Sequence, residues 1–296
     1  MLVSIILINY KALDHTLECL ESLEKIQKKN FSIKILVVDN NSQDNSADTL
    51  KKIKEITLIQ NKKNLGFSGG NNVAIKKASE FNSDFILILN NDSLLHPDFL
   101  ISLITADCDI VSPKIYFAPG FEFHKKRYKE SQIGKIIWYA GGKIDWQNIL
   151  GMHIGVDEVD TGQFSKPHET DFATGACMLI KRKVFEKIGF FDEKYFLYLE
   201  DMDLCFRAAQ ANFEVYFEPK AMIWHKNAAS AGGSGSKLQD YYITRNRLLF
   251  AFKFAKPRTK IALLKHVASK VNDPIKRKAF IDFITGKFGK SSINFE

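Results

Sequence analysis

Short apolar runs alternate along the chain with longer segments in which apolar residues recur every three or four positions. Val3–Ile8, Ile33–Val38, Thr57–Ile59 and Phe85–Leu89 are rich in Ile, Val and Leu and have the length of buried strands. Between them, Leu17, Leu20, Leu23 and Ile26 share one helical face behind Asp14, a residue type that caps helices. Leu50 and Ile53 mark a second helix. Gly66–Gly70 reads as a loop leading into a third, Asn71–Ser79. This β-α-β-α-β-α-β order predicts an α/β fold. Its sheet is mostly parallel with helices on both faces, and ligands bind at the carboxyl ends of the strands.

The periodicity fades over residues 116–168, which are aromatic, basic and Gly-containing and predict an irregular insertion with short hairpins. Thr174–Lys181 reads as a strand, Lys183–Ile188 as a helix stopped by Gly189, Glu200–Gln210 as a helix and Val215–Phe217 as a strand. Ala228–Ser236 is Gly/Ser-rich and is expected to be mobile. Beyond Tyr241 the pattern is helical and basic. The expected division is one domain over 1–250, made of a half at 1–115, the insertion at 116–168 and a half at 169–250. A basic helical tail follows at 251–296.

Every strand of the first half ends in side chains bearing oxygen or nitrogen: Asn9-Tyr10, Asp39-Asn40-Asn41-Ser42, Asn64–Asn72 and Asn90-Asn91-Asp92. Any one of these is an ordinary turn. Four on one rim point to a site. Asp92, a carboxylate beside amides, has the chemistry to hold a hard divalent ion next to a phosphate. Glu200-Asp201 precedes a helix carrying Leu204 and Cys205. There the pair is either favoured by the helix dipole or supplies a general base in a semi-apolar pocket. His225 follows a strand and is either structural or a ligand completing a coordination sphere begun by Asp92. The Gly66–Asn72 turn can bring backbone N–H groups to a phosphate, although no P-loop Gly-Lys-Ser/Thr follows. Arg245, after Tyr241-Tyr242, suits diphosphate oxygens or lies on a solvated helix face.

Composition narrows this picture. With 296 residues and 45% apolar content the chain can bury a large core, which excludes disorder for most of its length. Four scattered cysteines without a Cys-x-x-Cys pair suggest buried thiols in a reducing, cytoplasmic setting. The apolar N-terminus lacks a basic leader and reads as a strand, and no apolar run has membrane-spanning length. A formal charge of +8 implies an anionic partner; charge alone leaves nucleotide phosphate, anionic lipid and nucleic acid open.

Taken in order, Ile8-Asn9-Tyr10, Val38–Ser42, Asn64-Leu-Gly-Phe67, Gly70-Asn71-Asn72, Leu89–Asp92, Thr174-Gly175-Ala176, Gly189–Glu193, Glu200–Cys205, His225 and Tyr242-x-x-Arg245-Asn246 resemble the family 2 inverting glycosyltransferases of GT-A fold. The similarity is to the rhamnosyltransferase-like branch and covers residues 1 to about 250. The resemblance implies that Asn9 and Asp39 face the base and ribose, with Tyr10, Asn41, Asn64, Gly66, Asn71, Asn91 and Arg245 also on the donor side. It implies that Gly175 and Ala176 lie against the donor sugar. Asp92 and His225 would hold Mg2+ or Mn2+, Asp201 would be the base, and Glu200 would orient it or contact the acceptor. Many members carry Asp-x-Asp where this chain has Asn90-Asn91-Asp92, which lowers the expected metal affinity. The implied partners are a dTDP- or UDP-linked sugar and a glycan or lipid-linked acceptor, not nucleic acid. The basic tail is a candidate contact with an anionic membrane on its inner, cytoplasmic face. A sugar-phosphate nucleotidylyltransferase would need a basic Gly-rich loop after the first strand. A non-catalytic sugar-nucleotide or polyanion-binding module is the other competing class.

Overall fold

The computed structural model describes residues 1–124, 126–227, 235–293 and 295. The first half follows the predicted alternation: β1 (Leu2–Asn9), α1 (Leu13–Glu24), β2 (Ser32–Asp39), α2 (Ser46–Leu50), β3 (Ile56–Gln60), α3 (Gly66–Glu80) and β4 (Phe85–Leu89). Next come β5 (Ser93–Leu95), α4 (Phe99–Thr105), β6 (Ile110–Phe117), a 3-10 turn (Glu130–Gln132), β7 (Ile137–Tyr139), β8 (Gly142–Asp145), β9 (Leu150–His153) and β10 (His168–Glu169). The second half holds β11 (Cys177–Lys181), α5 (Arg182–Ile188), α6 (Glu200–Gln210) and β12 (Val215–His225). The chain then runs through α7 (Lys237–Phe254), α8 (Pro257–Ala268) and α9 (Pro274–Ile284).

The main sheet has the order β10-β12-β6-β11-β4-β1-β2-β3, with β5 on β12 and β7 on β6. Strands β4, β1, β2 and β3 pair in parallel, as do β6 and β12. Between these blocks β11 runs antiparallel to both β4 and β6. Consecutive residues Val3, Ser4, Ile5, Ile6 and Leu7 of β1 are all buried, so both faces of the central strand are covered, as a parallel sheet requires.

Several boundaries differ from the sequence reading. Asp14 lies inside the first turn of α1, and Ala12 takes the cap position. Gly66–Gly70 forms the opening turn of α3, not a loop before it. Thr174–Ala176 precede β11 and do not join it. β12 extends from Val215 to His225 across an irregularity between Glu218 and Met222, which carries it past Pro219. The aperiodic region contains the antiparallel β8–β9 hairpin. Of the Gly/Ser-rich stretch, residues 228–234 lie outside the described residues.

In the tail, α9 and α8 pack against α7 and against each other. Leu263 and Val267, one turn apart, are the buried pair of α8, while Ile261 is exposed. In α9 Ala279 and Asp282 face inward, and Asp282 accepts a 2.6 Å hydrogen bond from the Tyr241 hydroxyl. No helix among the described residues is long and apolar enough to cross a membrane.

Candidate active site

The carboxyl ends of β1, β2 and β4 and the start of α6 surround one cavity of about 660 Å³. This is the size of a site for a small ligand. Its wall includes Tyr10, Asn64, Gly66, Asn91, Asp92, Gly175, Ala176, Glu200, Asp201 and His225. Ten of the residues expected at a site thus meet in one place, although strands and loops more than a hundred positions apart supply them.

Asp92 and His225 are brought together by pairing of β12 with β5, in which His225 stands opposite Ser93. Nε2 of His225 lies 3.0 Å from Oδ1 of Asp92 and 3.2 Å from the Asn90 amide nitrogen. The approach to Asp92 is close but poorly aligned: Oδ1 of Asp92 and Nδ1 of His225 are both buried without a hydrogen-bond partner among the described residues. Burial alone would raise the Asp92 carboxyl, yet the adjacent His225, by charge and contact, brings it below the usual carboxylate value. Two donors 3.0 Å apart have the spacing of neighbouring ligands on a single ion bound at about 2.0–2.1 Å. The residues therefore fit a divalent cation. Among the described residues no third His, Cys, Asp or Glu joins them, so water or phosphate oxygens would complete the sphere, as suits magnesium or manganese.

Opposite this pair, α6 opens with Glu200 and Asp201. Asp201 Oδ2 accepts the Gly175 N–H at 2.9 Å and Oδ1 accepts the Met202 N–H at 2.8 Å. Burial still raises its pKa, only partly offset by those bonds. Glu200 is pushed well above the ordinary value, first by burial and then by the charge of Asp201, and its Oε2 has no partner among the described residues. The two environments differ: at Asp201 backbone donors offset part of the burial, whereas at Glu200 the charge of Asp201 adds to it.

The turn before α6 carries three bulky residues with positive φ: Phe196 (66°), Tyr198 (69°) and Leu199 (69°). Such conformations cost about 1–3 kcal/mol each and persist only where surroundings enforce them. Gly66 is part of that enforcement. A Cβ there would lie 2.3 Å from the Phe196 carbonyl oxygen, and its own φ is +70°. The Phe67 N–H donates to the same oxygen at 2.7 Å. The opening N–H groups of α3 therefore brace this turn, which corrects their expected role as a phosphate cradle.

Other expected donor-side residues stand elsewhere. Asn9 is fully buried; its amide donates to Asp39 Oδ1 and to Ser42, each at 3.0 Å, and accepts from Thr16 at 2.9 Å. Asp39 is buried with it and accepts from the Ser42 hydroxyl at 2.5 Å. Neither lines the cavity, whose wall takes their neighbours Ile8, Tyr10 and Asn40. Asn41, with φ of 65°, and buried Asn71, whose amide donates to the Phe67 carbonyl, also lie outside that wall. Arg245 is the clearest correction. It has no exposed surface and donates to the carbonyls of Lys194, Tyr195 and Gly289, so it is not free to meet a diphosphate.

The sequence reading missed three contributors. Asn40 bonds Asn61, Asn64, Leu65 and Gly66 and so shapes the rim. Trp138 and His153, from β7 and β9, line the cavity, with the indole edge-on to His153 at 4.4 Å and to His225 at 4.6 Å. Burial lowers the His153 pKa to about 4, so its ring is neutral. The only signal for this pair was a Trp and a lone His in an aperiodic region.

A model of glycosyl transferase family 2 matches residues 4–189, more than half of the chain. The chain is a family 2 glycosyltransferase. It is 26% identical over 251 residues to the low-salt glycan biosynthesis hexosyltransferase Agl10 of Haloferax volcanii, a match spanning 83% of this chain and 74% of that protein. It is 23% identical over 242 residues to the N-acetylglucosaminyl-diphospho-decaprenol L-rhamnosyltransferase of Mycobacterium tuberculosis, spanning 77% of each. These relatives are a hexosyltransferase and a rhamnosyltransferase, in keeping with the branch the sequence resembles. Among solved structures, GalNAc-T7 with UDP, GalNAc and Mn2+ superposes with a TM-score of 0.62 at 13% identity, over 89% of this glycosyltransferase and 54% of that chain. That likeness shows the GT-A fold.

Proposed function

We propose that this glycosyltransferase moves a hexose, rhamnose first among the candidates, from a dTDP- or UDP-sugar to a hydroxyl of a glycan or lipid-linked acceptor, with inversion. The observation that carries the reading is the placement of Glu200-Asp201 in the same cavity as Asp92–His225. Asp92 and His225 would hold a divalent ion, which when bound supplies positive charge against the departing diphosphate. Asp201 takes the proton from the acceptor hydroxyl as that oxygen attacks the anomeric carbon and the bond to the diphosphate breaks. Such a base contributes roughly 10²–10⁴-fold. The backbone N–H groups of Gly175 and Met202 fix the angle of Asp201, and Glu200 orients that base or contacts the acceptor. A single carboxylate base acting on the acceptor gives one displacement and hence inversion. Relatives acting on a decaprenol-linked sugar and in glycan biosynthesis support the acceptor class.

The test is transfer from dTDP-rhamnose, UDP-glucose and UDP-N-acetylglucosamine to a polyprenyl-diphosphate-sugar acceptor, with the product anomer read by NMR. Asp201→Asn should abolish transfer and leave nucleotide binding nearly intact. A variant keeping more than about a tenth of wild-type turnover removes Asp201 from the role of base.

A peripheral membrane contact would suit a lipid-linked acceptor. The lysine-rich tail also exposes Ile261, Ile281 and Ile284. Cosedimentation with anionic liposomes at low and high salt tests it, and no binding at low salt would rule it out.

A further inference from the structure

We propose that Asn246 and Arg245 are positioning residues for the catalytic pair: from α7 they hold the turn 194–199 in its left-handed course and so aim Glu200 and Asp201 into the cavity. The activity arm of this inference rests on the glycosyltransfer reading; the geometric arm does not.

The Asn246 amide nitrogen donates to three carbonyls of the turn, Tyr195 at 3.0 Å, Leu197 at 2.8 Å and Tyr198 at 2.9 Å. Its Oδ1 accepts from Arg245 Nε at 3.0 Å, which sets which way the amide faces. Arg245 Nη2 reaches the Lys194 and Tyr195 carbonyls at 3.0 and 2.9 Å. Both side chains are fully buried. Carbonyls converging on one point repel unless donors stand among them, and here the donors come from two adjacent residues of one helix. The conformation they hold is one that Phe196, Tyr198 and Leu199 would leave if released, since none is a glycine or asparagine. Leu199 is the residue from which α6 starts, so a change in its backbone turns the first helical residues, Glu200 and Asp201.

The brace extends into the tail. Arg245 Nη1 donates to the Gly289 carbonyl at 2.7 Å, and the Tyr242 hydroxyl accepts the Ser291 N–H at 2.9 Å. Phe196 stacks on Tyr242 with centroids 5.2 Å apart. The segment after α9 therefore closes the back of the same turn whose front forms the cavity.

The experiment compares the full chain with Asn246→Ala, Arg245→Lys and Leu263→Ala. Leu263, buried in α8, serves as a control that loses packing without touching the turn. Thermal midpoints rank the loss of stability. Amide exchange of Phe67 and Gly175, whose N–H groups bond Phe196 O and Asp201, reports the turn and the base directly. Turnover is measured with dTDP-rhamnose, UDP-glucose and UDP-N-acetylglucosamine. The expected result for Asn246→Ala is faster exchange at both amides and a kcat lower by roughly 10²-fold, the cost of a displacement near 1 Å, with donor KM little changed. Arg245→Lys keeps the charge, loses the fork and should give a smaller loss of the same kind, deciding the matter if Asn246→Ala does not fold. Leu263→Ala should keep kcat at a comparable drop in midpoint. Equal loss of kcat in Asn246→Ala and Leu263→Ala, a loss carried by donor KM, or unchanged exchange at Gly175 would overturn the proposal. A wild-type chain inactive on all three donors would count against the glycosyltransfer reading instead, and the exchange data would still decide the positioning.

Discussion

At the ends of β1 and β2, Asn9, Asp39, Ser42 and Thr16 answer one another's hydrogen bonds behind the cavity wall. Elsewhere on the cavity wall, the turn leading to α6 runs through three left-handed bulky residues, and Glu200 at its end has a buried oxygen with no partner among the described residues. Both regions are rim structures of one sheet and both are rich in polar groups. In the first, the polar groups satisfy each other, so the region is a scaffold that shapes the rim at no standing cost. In the second, surrounding elements impose a conformation the local sequence disfavours, and what that secures is the direction of a carboxylate. Removing a group from the first should therefore cost stability; disturbing the second should cost rate.

The largest expected effect lies at Asp92 and His225, the pair proposed to hold a divalent ion. Asp92→Ala, or excess chelator with the native chain, should cut turnover by at least ~10–100-fold, the loss seen even for groups that only support a ligand. Restoration by Mg2+ or Mn2+ after chelation is part of the expectation, and full activity in chelator would break it. Gly66→Ala comes next. The new Cβ would press on the Phe196 carbonyl oxygen at a φ of +70°, so chemical denaturation should show a loss of about 1–3 kcal/mol. Turnover of the folded fraction should fall with it. Asn9→Ala sharpens the contrast: it removes the bonds of Asn9 to Asp39, Ser42 and Thr16 and should cost about 1–3 kcal/mol while kcat stays close to wild type. If Asn9→Ala lowers kcat as much as Gly66→Ala does, the division between the two regions is wrong.

The smallest effect is a pH trend. Glu200 has a raised pKa, so the folded chain holds that proton more tightly than the unfolded chain. Its contribution is full below the unfolded value of about 4.3 and is lost as pH rises through the folded value. Glu200→Gln has no proton to lose. Its thermal midpoint should gain on wild type as pH rises above the unfolded value, and a constant gap would show that Glu200 is not perturbed.

The alternation of β1 through β4 was legible because buried parallel strands read as apolar runs and the helices between them as stripes. The rim was legible for the same reason, since each polar cluster ends a run. Arg245 was not. An Arg beside two Tyr reads the same whether it faces water or is enclosed by carbonyls, and arginines are seldom fully buried. The turn at 196–199 was invisible because positive φ is anticipated at Gly or Asn, and this turn is Phe-Leu-Tyr-Leu. Gly66–Gly70 misled in the opposite direction. Its glycines serve close packing against Phe196 and Ile8, while the same pattern is equally compatible with an anion-binding loop. Trp138 and His153 lay where no periodicity exists to read.

Strand β11 runs against its neighbours, so its first residues, not its last, arrive at the rim beside the end of β4, where the Asn90 N–H bonds the Ala176 carbonyl at 2.8 Å. That reversal lets the chain leave β4, add β5, β6 and β7 to the main sheet, fold the β8–β9 hairpin, and return to the same edge with Gly175 in contact with Asp201. The excursion is held by sheet pairing along its way, at β6, β7 and β10. Trp138 and His153 line the cavity from this excursion, so it is where that wall can change in the course of divergence while the order of the main sheet stays.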